Sequence, residues 1–354
     1  MKKILLASVL AVTSVTVFAG DERKHDISYK PKVGYASTTG AAVVEPSAKN
    51  IISSGEQISR LTERNFNGDS IVQRLTERSY WMQVGFYNVV FYVGDKGVLL
   101  FDPLAYGSGK AVLTAIKSVT DKPVTALVLS HDHADHIADA SLFVAAAKEA
   151  GHKLRIIASD ATAEKMAYLN SSITKPTEVL KFSGGETQFE SLTIQVKGFE
   201  RASHTDDSSA WLLVEEKIIH APDMNNPNQL PWLAFGGSEN FVYMQKNFKQ
   251  IAAMKWNIFS GGHGNIGWRK DLEFIQGYIS DLQTAAIEAN GKVSWDPYFN
   301  NDINNHAAMG KAWSEEAEAY VVNKLRPKYG QYYGFEASAP FQAAMALSAV
   351  ESYQ

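Results

Sequence analysis

The stretch VTALVLSHDHADHIADA, residues 124–140, constrains the fold more than any other. VTALVLS is predominantly apolar, the pattern of a buried strand, and the ADASLFVAAAKEAG that follows has helical spacing. Between them stand His131, Asp132, His133, Asp135 and His136, so these residues occupy a tight strand-to-helix loop. His131 and His133, alternate residues of an extended loop end, can converge on one cation, while Asp135 and His136 turn toward a second. The competing reading is a solvated loop that is merely rich in histidine.

Strands and helices alternate around this loop, which predicts an α/β layered core. YWMQVGFYNVVFYVGDKGVLLFDPL reads as strands broken at Gly85 and at the turn GDKG, GSGKAVLTAIKSVTDKP as a helix, and LRIIAS as a strand. KFSGGETQFESLTIQVKGFE reads as two strands around its Gly-Gly turn, SSAWLLVEEKIIHAPD as a strand pair turning at EEK, and WNIFSGG as a short strand after a helical segment. From Lys270 onward the chain is largely helical, interrupted at NGKVSWDPYFNND and RPKYGQYYGF, and too long to be a mere cap. The expected division is a signal peptide at 1–19, an N-terminal extension at 20–70, an α/β core domain at 71–275 and a helical extension at 276–354 packed on the core. The N-terminal extension is polar and small-residue-rich, expected to lie on the surface with a short helix around Ser53 to Thr62.

Lys and Arg total 34 against 38 Asp and Glu, so the net charge of −4 provides no basic field for nucleic acid or an anionic membrane, and a small-molecule substrate is the expected partner. Lys2 and Lys3, the apolar run Ile4 to Val17 and the small-x-small site Val17-Phe18-Ala19 predict a signal cleaved after Ala19 and a periplasmic or secreted protein. The apolar run is shorter than the roughly 20 residues that span a bilayer, so no stable membrane insertion is expected after cleavage. The chain has no cysteine, which leaves His and carboxylates as the ligands for any metal.

With four further segments the loop resembles the metallo-β-lactamase-fold superfamily, whose pattern runs through five motifs in order. Asp102 in VLLFDP matches the first, HDHADH the second, His204 in RASHTDD the third, Asp223 in IIHAPDM the fourth and His263 in FSGGHG the fifth, each after an apolar strand. The resemblance covers residues 71–275 and implies a four-layer αββα sandwich. Position by position, it assigns His131, His133 and His204 to one metal, Asp135, His136 and His263 to a second, and Asp223 to the bridge between them. It implies two zinc ions, with iron or manganese as alternatives. Asp102 would orient the loop and its histidines without binding metal. Taken singly, His204 and His263 read as surface residues and Asp102 as a strand-end turn; the ordered set overturns those readings. His152 reads as a helix-exit residue and His220 as structural, on the opposite strand face from Ala221 and Asp223. His25 and His306 carry no spacing signal, and Asp206 and Asp207 could buttress the His204 loop.

Two divalent metals about 3.5–4 Å apart hold and acidify a shared water for attack on a carbonyl, phosphorus or sulfur centre. The expected activity is therefore that of an exported dinuclear zinc hydrolase, using a metal-bridging hydroxide to cleave a carboxylic ester, lactone or sulfate ester. Asp135 is a candidate proton donor to the leaving group. The alternatives are a β-lactamase and an iron-dependent redox or sulfur-transfer protein of the same fold. The absence of cysteine excludes the lactamase subclasses that need it at the second metal, and Asp223 occupies a bridging position that zinc β-lactamases generally lack. Ser203-His204-Thr205-Asp206-Asp207 and Pro222-Asp223 depart from the frequent Gly-His-Thr-Pro-Gly and Gly-Asp, so no branch's substrate transfers directly. Trp232, Phe235, Trp268, Tyr332 and Tyr333 could form an apolar lid, though core packing explains such aromatics equally well.

Overall fold

The computed structural model describes residues 35–65, 70–299 and 304–353, so the expected signal peptide lies outside the described residues. Two β-sheets form the centre. The larger carries, in spatial order, β3 (Ile71–Arg74), β4 (Ser79–Val84), β5 (Tyr87–Val93), β6 (Val98–Phe101), β7 (Val124–Val128), β8 (Arg155–Ser159) and β9 (Glu178–Leu180). β3 to β6 pair antiparallel and β6 to β9 parallel. The smaller sheet is an antiparallel meander of β10 (Glu186–Phe189), β11 (Leu192–Gly198), β12 (Ser209–Leu213) and β13 (Ile218–His220), with β14 (Ile258–Ser260) parallel to β13.

Period-two alternation decides what each sheet face meets. Trp81, Val90, Leu99, Phe101 and Val128 point inward and pack against Ile194, Trp211 and Leu213 of the other sheet. Their neighbours Met82, Phe91, Leu100 and Leu127 point outward, onto Val112 and Ile116 of α2 (Ser108–Val119), Phe143 of α4 (Ala140–Glu149) and Met166 of α5 (Asp160–Tyr168). On the far side Ala210, Leu212 and Ile219 meet Phe248 and Ile251 of α6 (Met244–Ala253) and Ile275, Ile279 and Leu282 of α7 (Arg269–Lys292). α8 (His306–Tyr329) and α9 (Phe335–Tyr353) pack on α7 through Val321, Leu325, Ala343 and Leu347. The result is the αββα sandwich with a helical C-terminal region. α7 runs straight through residue 275, so the helical region is continuous with the core. Among the described residues no helix is long and apolar enough to cross a membrane.

Three local expectations change. The N-terminal segment does not simply lie on the surface: Ile52, Ile58 and Leu61 are buried in the cluster between the sheets. Residues 53–61 are turn and strand, with Gly55 at φ 86, β1 (Val43–Val44) pairing with β2 (Gln57–Ile58), and the helix waiting until α1 (Thr62–Asn65). Gly184-Gly185 is not a hairpin turn but the passage from β9 in one sheet to β10 in the other. The hairpin itself turns at Glu190-Ser191, with Glu190 at φ 55.

Candidate metal centre

Asp102, the His131–His136 loop, Asp223 and His263 leave the C-terminal ends of β6, β7, β13 and β14, the rim where open α/β sheets present binding groups. His204 joins them from the β11–β12 loop. Asp102 and Asp223 both stand at φ 61, a left-handed conformation that aspartate tolerates better than most residues and that turns each carboxylate out of its strand. Leu104, bulkier and buried, takes φ 64. It is held there by its N–H donating to the His136 carbonyl at 2.7 Å and its carbonyl accepting from Asp139 at 2.8 Å. α3 (Ala134–Ile137) is a single turn that starts directly after His133, and it swings Asp135 and His136 away from His131 and His133.

All seven expected ligands converge, in two groups: His131, His133, His204 and Asp223, and beside them Asp135, His136 and His263. His204 Nε2 lies 3.1 Å from His133 Nδ1 and 3.1 Å from Asp223 Oδ2, and His131 Nε2 lies 3.5 Å from that same oxygen. From the second group His136 Nε2 approaches Asp223 Oδ2 at 3.1 Å and His263 Nε2 approaches Asp223 Oδ1 at 3.0 Å. Asp223 thus stands between the groups. Asp135 is the loosest member, its Oδ2 3.8 Å from His136 Nε2 and its side chain 31% exposed.

Electrostatics fit a cation. Burial would raise the Asp223 carboxyl, but the imidazoles of His136, His204 and His263 outweigh it and hold the group well below the usual carboxylate range. Burial pulls His133 down to about 4, reinforced by His131 and His204, which favours the neutral, ligating imidazole. His131 Nε2 and His136 Nε2 are buried without a hydrogen-bond partner among the described residues. A nest of inward-facing imidazole nitrogens and a carboxylate is costly unless something positive sits among them, and an all-imidazole and carboxylate donor set suits zinc.

The supporting groups orient the ligands. His263 Nδ1 donates to the Phe86 carbonyl at 2.7 Å, which leaves Nε2 facing Asp223 as an acceptor. Asp102, fully buried, accepts from the Ser130 N–H at 2.9 Å and pairs with His220 Nε2 at 3.0 Å, while His136 Nδ1 lies 3.6 Å from it. Burial opposes its ionisation, but His136 and His220 prevail and hold it well below the ordinary range. His220 continues through Ser260 Oγ at 3.0 Å to Asn88 Oδ1 at 3.0 Å. Structural rather than ligating, His220 faces the inter-sheet space on the same strand side as Ile218. Ala221 packs in the outer cluster, and Asp223 reaches the centre through its left-handed turn.

Asp207 accepts from the Asp132 N–H at 2.8 Å, tying the His204 loop to the His131–His133 loop, and Lys165 of α5 pairs with Asp132 at 3.2 Å and Asp206 at 2.7 Å. His152 donates to the Val124 carbonyl at 3.0 Å, away from the centre, and His306 is exposed at the start of α8. His25 lies outside the described residues.

A cavity of about 300 Å³ opens over Asp135, Asp223, His133 and His263. Trp232, Phe235 and Tyr333 line it, whereas Trp268 caps α7 and donates to the Glu56 carbonyl, and Tyr332 packs on Phe274 at 5.0 Å. The roof is fastened to α9: Gln342 Nε2 donates to the Pro231 carbonyl at 2.7 Å and Ser338 Oγ accepts from the Leu233 N–H at 2.9 Å. Tyr87, Glu63 and Asn225 also line the cavity and escaped the sequence reading. Tyr87 packs on His263 at 4.9 Å, and burial, then the neighbouring Asp135 carboxylate, pushes its hydroxyl up. Glu63 is buried, and its carboxyl is pushed up by that burial against the opposing pull of Arg64 and His263. None of the three sits in a spaced motif; what places them is contact between segments far apart in sequence.

Residues 82–238 match the sequence model of the metallo-beta-lactamase superfamily. No curated protein is similar enough in sequence to match the chain. Among solved structures, a metallo-beta-lactamase from Pontibacter korlensis superposes with a TM-score of 0.51 at 15% identity, covering 60% of this chain and 99% of that one. The metallo-beta-lactamase IND-7 superposes with a TM-score of 0.50 at 20% identity, covering 60% of this chain and 98% of that one. At these identities the likeness concerns the fold. The segment 82–238 is therefore similar to the metallo-beta-lactamase superfamily in sequence, and the paired sheets around its His/Asp cluster have the metallo-beta-lactamase fold.

Proposed function

We propose that the chain is an exported dinuclear zinc hydrolase that cleaves a small carboxylic ester, lactone or sulfate ester. The observation that carries this reading is Asp223, a buried carboxylate approached on both oxygens by imidazoles of both groups. His131, His133, His204 and Asp223 would hold one ion, and Asp135, His136, His263 and Asp223 the other. Two divalent ions there supply an acidified water and positive charge for the developing oxyanion. The protein's own groups do the rest. Asp223 would offset the charge of two dications, one held by each group. Asp102, itself paired with His220, stands 3.6 Å from His136 Nδ1 and favours the ring orientation that turns Nε2 toward Asp223. Asp135 and the Tyr87 hydroxyl beside it stand on the cavity side, placed to hold a proton and return it to a leaving oxygen. Phe235 and Met244, both buried, give the reacting face an apolar wall that limits water.

The test is a rate screen of metal-quantified protein on ester, lactone, sulfate ester, phosphodiester and β-lactam substrates. Turnover of an ester-type substrate that requires two metal equivalents is expected, with Asp135→Ala and His263→Ala losing the second equivalent and most of the rate. Turnover confined to β-lactams, or full activity with one metal, would refute it.

A further inference from the structure

The imidazoles of the cluster are held unequally from outside. His131 Nδ1 meets Ser130 Oγ at 2.9 Å, and Ser130 is itself fixed, its N–H donating to Asp102 at 2.9 Å and its carbonyl accepting from Trp211 Nε1 at 3.2 Å. His263 has the Phe86 carbonyl. His204 Nδ1, by contrast, is buried without a hydrogen-bond partner among the described residues, while its Nε2 faces His133 Nδ1 at 3.1 Å. With no outer bond to set the His204 ring, the placement of the two loops decides how it meets His133. A charged cluster joins those loops. Asp132 stands between His131 and His133, and Asp206 and Asp207 follow His204 by two and three residues. Asp207 Oδ2 accepts from the Asp132 N–H at 2.8 Å, and Lys165 Nζ, reaching in from α5, lies 3.2 Å from Asp132 Oδ1, 2.7 Å from Asp206 Oδ1 and 3.5 Å from Asp207 Oδ1. The Asp132 and Asp207 side chains are only 7% and 2% exposed. Two buried carboxylates that share one ammonium repel each other without it.

We infer that Lys165 is a positioning residue for the His131, His133 and His204 group: its ammonium draws the two ligand loops together and so sets how His133 and His204 face one ion. The inference rests on the hydrolase reading only in taking the His/Asp cluster as metal ligands. Lys165 is no part of the cavity lining, so it acts through the loops and not on a substrate. Its loss has two effects of opposite sign. By field alone, removing a positive charge near a dication tightens metal binding, but this charge lies outside the ligands and is partly reached by solvent, which screens it. By position, releasing the carboxylates lets the loops part; ligand distances tolerate only about 0.2 Å, and lost outer support costs about 10–100-fold in metal affinity. The positional effect is the larger, and the sign of the change tells the two apart.

The test is zinc affinity of the full chain, by competition with a buffered chelator, for the wild type, Lys165→Met and Lys165→Arg. Lys165→Met should weaken one of the two stepwise zinc constants about tenfold or more and leave the other nearly unchanged. Lys165→Arg, whose guanidinium can fork across two carboxylates, should recover most of that loss. Lys165→Gln, neutral and polar, stands in if Lys165→Met fails to fold. Ile279→Ala, in the helical cluster away from both loops, should lower the melting temperature and leave both constants as they are, which separates positioning from general destabilisation. Unchanged constants or tighter zinc binding in Lys165→Met, equal weakening of both constants, or a Lys165→Arg protein no better than Lys165→Met would overturn the inference alone. A wild type that binds no zinc would overturn it together with the metal-centre reading. No turnover is measured, so failure here is separate from failure of the substrate screen.

Discussion

Gly262, in FSGGHG, tests whether close packing around the candidate metal centre is what places His136. It takes φ +76, and a Cβ there would lie 2.8 Å from His136 Cε1, 2.9 Å from Pro222 Cβ and 3.2 Å from Pro222 Cα. Pro222 is rigid and adjoins Asp223, so the imidazole has to give. Restoring an ordinary carbon contact of about 3.5–4.0 Å moves it by roughly 1 Å. His136 has little room, lying between Asp223 Oδ2 at 3.1 Å and Asp102 Oδ2 at 3.6 Å. Ligand distances tolerate only about 0.2 Å, so Gly262→Ala should weaken binding of the second metal equivalent at least tenfold. A left-handed alanine costs about 1 kcal/mol and overpacking about 1–3 kcal/mol, together a fall in melting temperature of about 4–8 °C. Metal stoichiometry after dialysis against a buffered chelator, with thermal melts, reads both effects. Gly277→Ala on the exposed face of α7, where a Cβ meets nothing within 4 Å, is the control and should be neutral or stabilising by about 1 kcal/mol. A Gly262→Ala protein that keeps both metal equivalents at wild-type affinity would refute the packing account.

Three further outcomes follow from the same geometry. Asp102→Ala leaves His220 Nε2 and the Ser130 N–H buried without acceptors, so it should cost about 3–5 kcal/mol in a denaturant titration and lower metal affinity about 10–100-fold. Gln342→Leu frees the Pro231 carbonyl and the Tyr278 hydroxyl that Gln342 accepts from; it should raise KM more than it lowers kcat, because it loosens the cavity roof and leaves the ligands in place. Asp271, buried and pushed up to about 6 by that burial, binds its proton more tightly folded than unfolded. Its contribution is therefore fully present below about pH 4 and lost as pH rises through 6, a fall of about 3 kcal/mol. Asp271→Asn should flatten that part of the stability profile, and an unchanged profile would contradict the assignment.

What the sequence made legible was local. VTALVLS and HDHADH announce a buried strand and its loop because both signals lie in consecutive residues, and Asp102, Asp223 and His263 follow because each ends an apolar run. Position 223 shows the limit of strand parity: the left-handed φ of Asp223, invisible in alternation, decides which way the carboxylate faces. The burial of Ile58 was illegible because Asn265, whose side chain bonds both its N–H and its carbonyl at 2.9 Å, is 207 residues away. The Gly-Gly of residues 184–185 misled for a related reason: it looks the same whether the chain folds back on itself or crosses to another sheet.

The cavity draws its walls from inside and outside the matched segment. The matched segment, 82–238, supplies six of the seven converging His and Asp side chains, Tyr87 and the Trp232 loop. Glu63 comes from before it, and Tyr333, with the Ser338 and Gln342 that fasten the roof, from well after it. The walls over the His/Asp cluster are thus assembled from segments on both sides of the match. The consequence is directional: changes at Glu63, Ser338 or Gln342 should redistribute rates among substrates while metal content stays constant, whereas changes at Asp135 or His263 should lower metal content and all rates together.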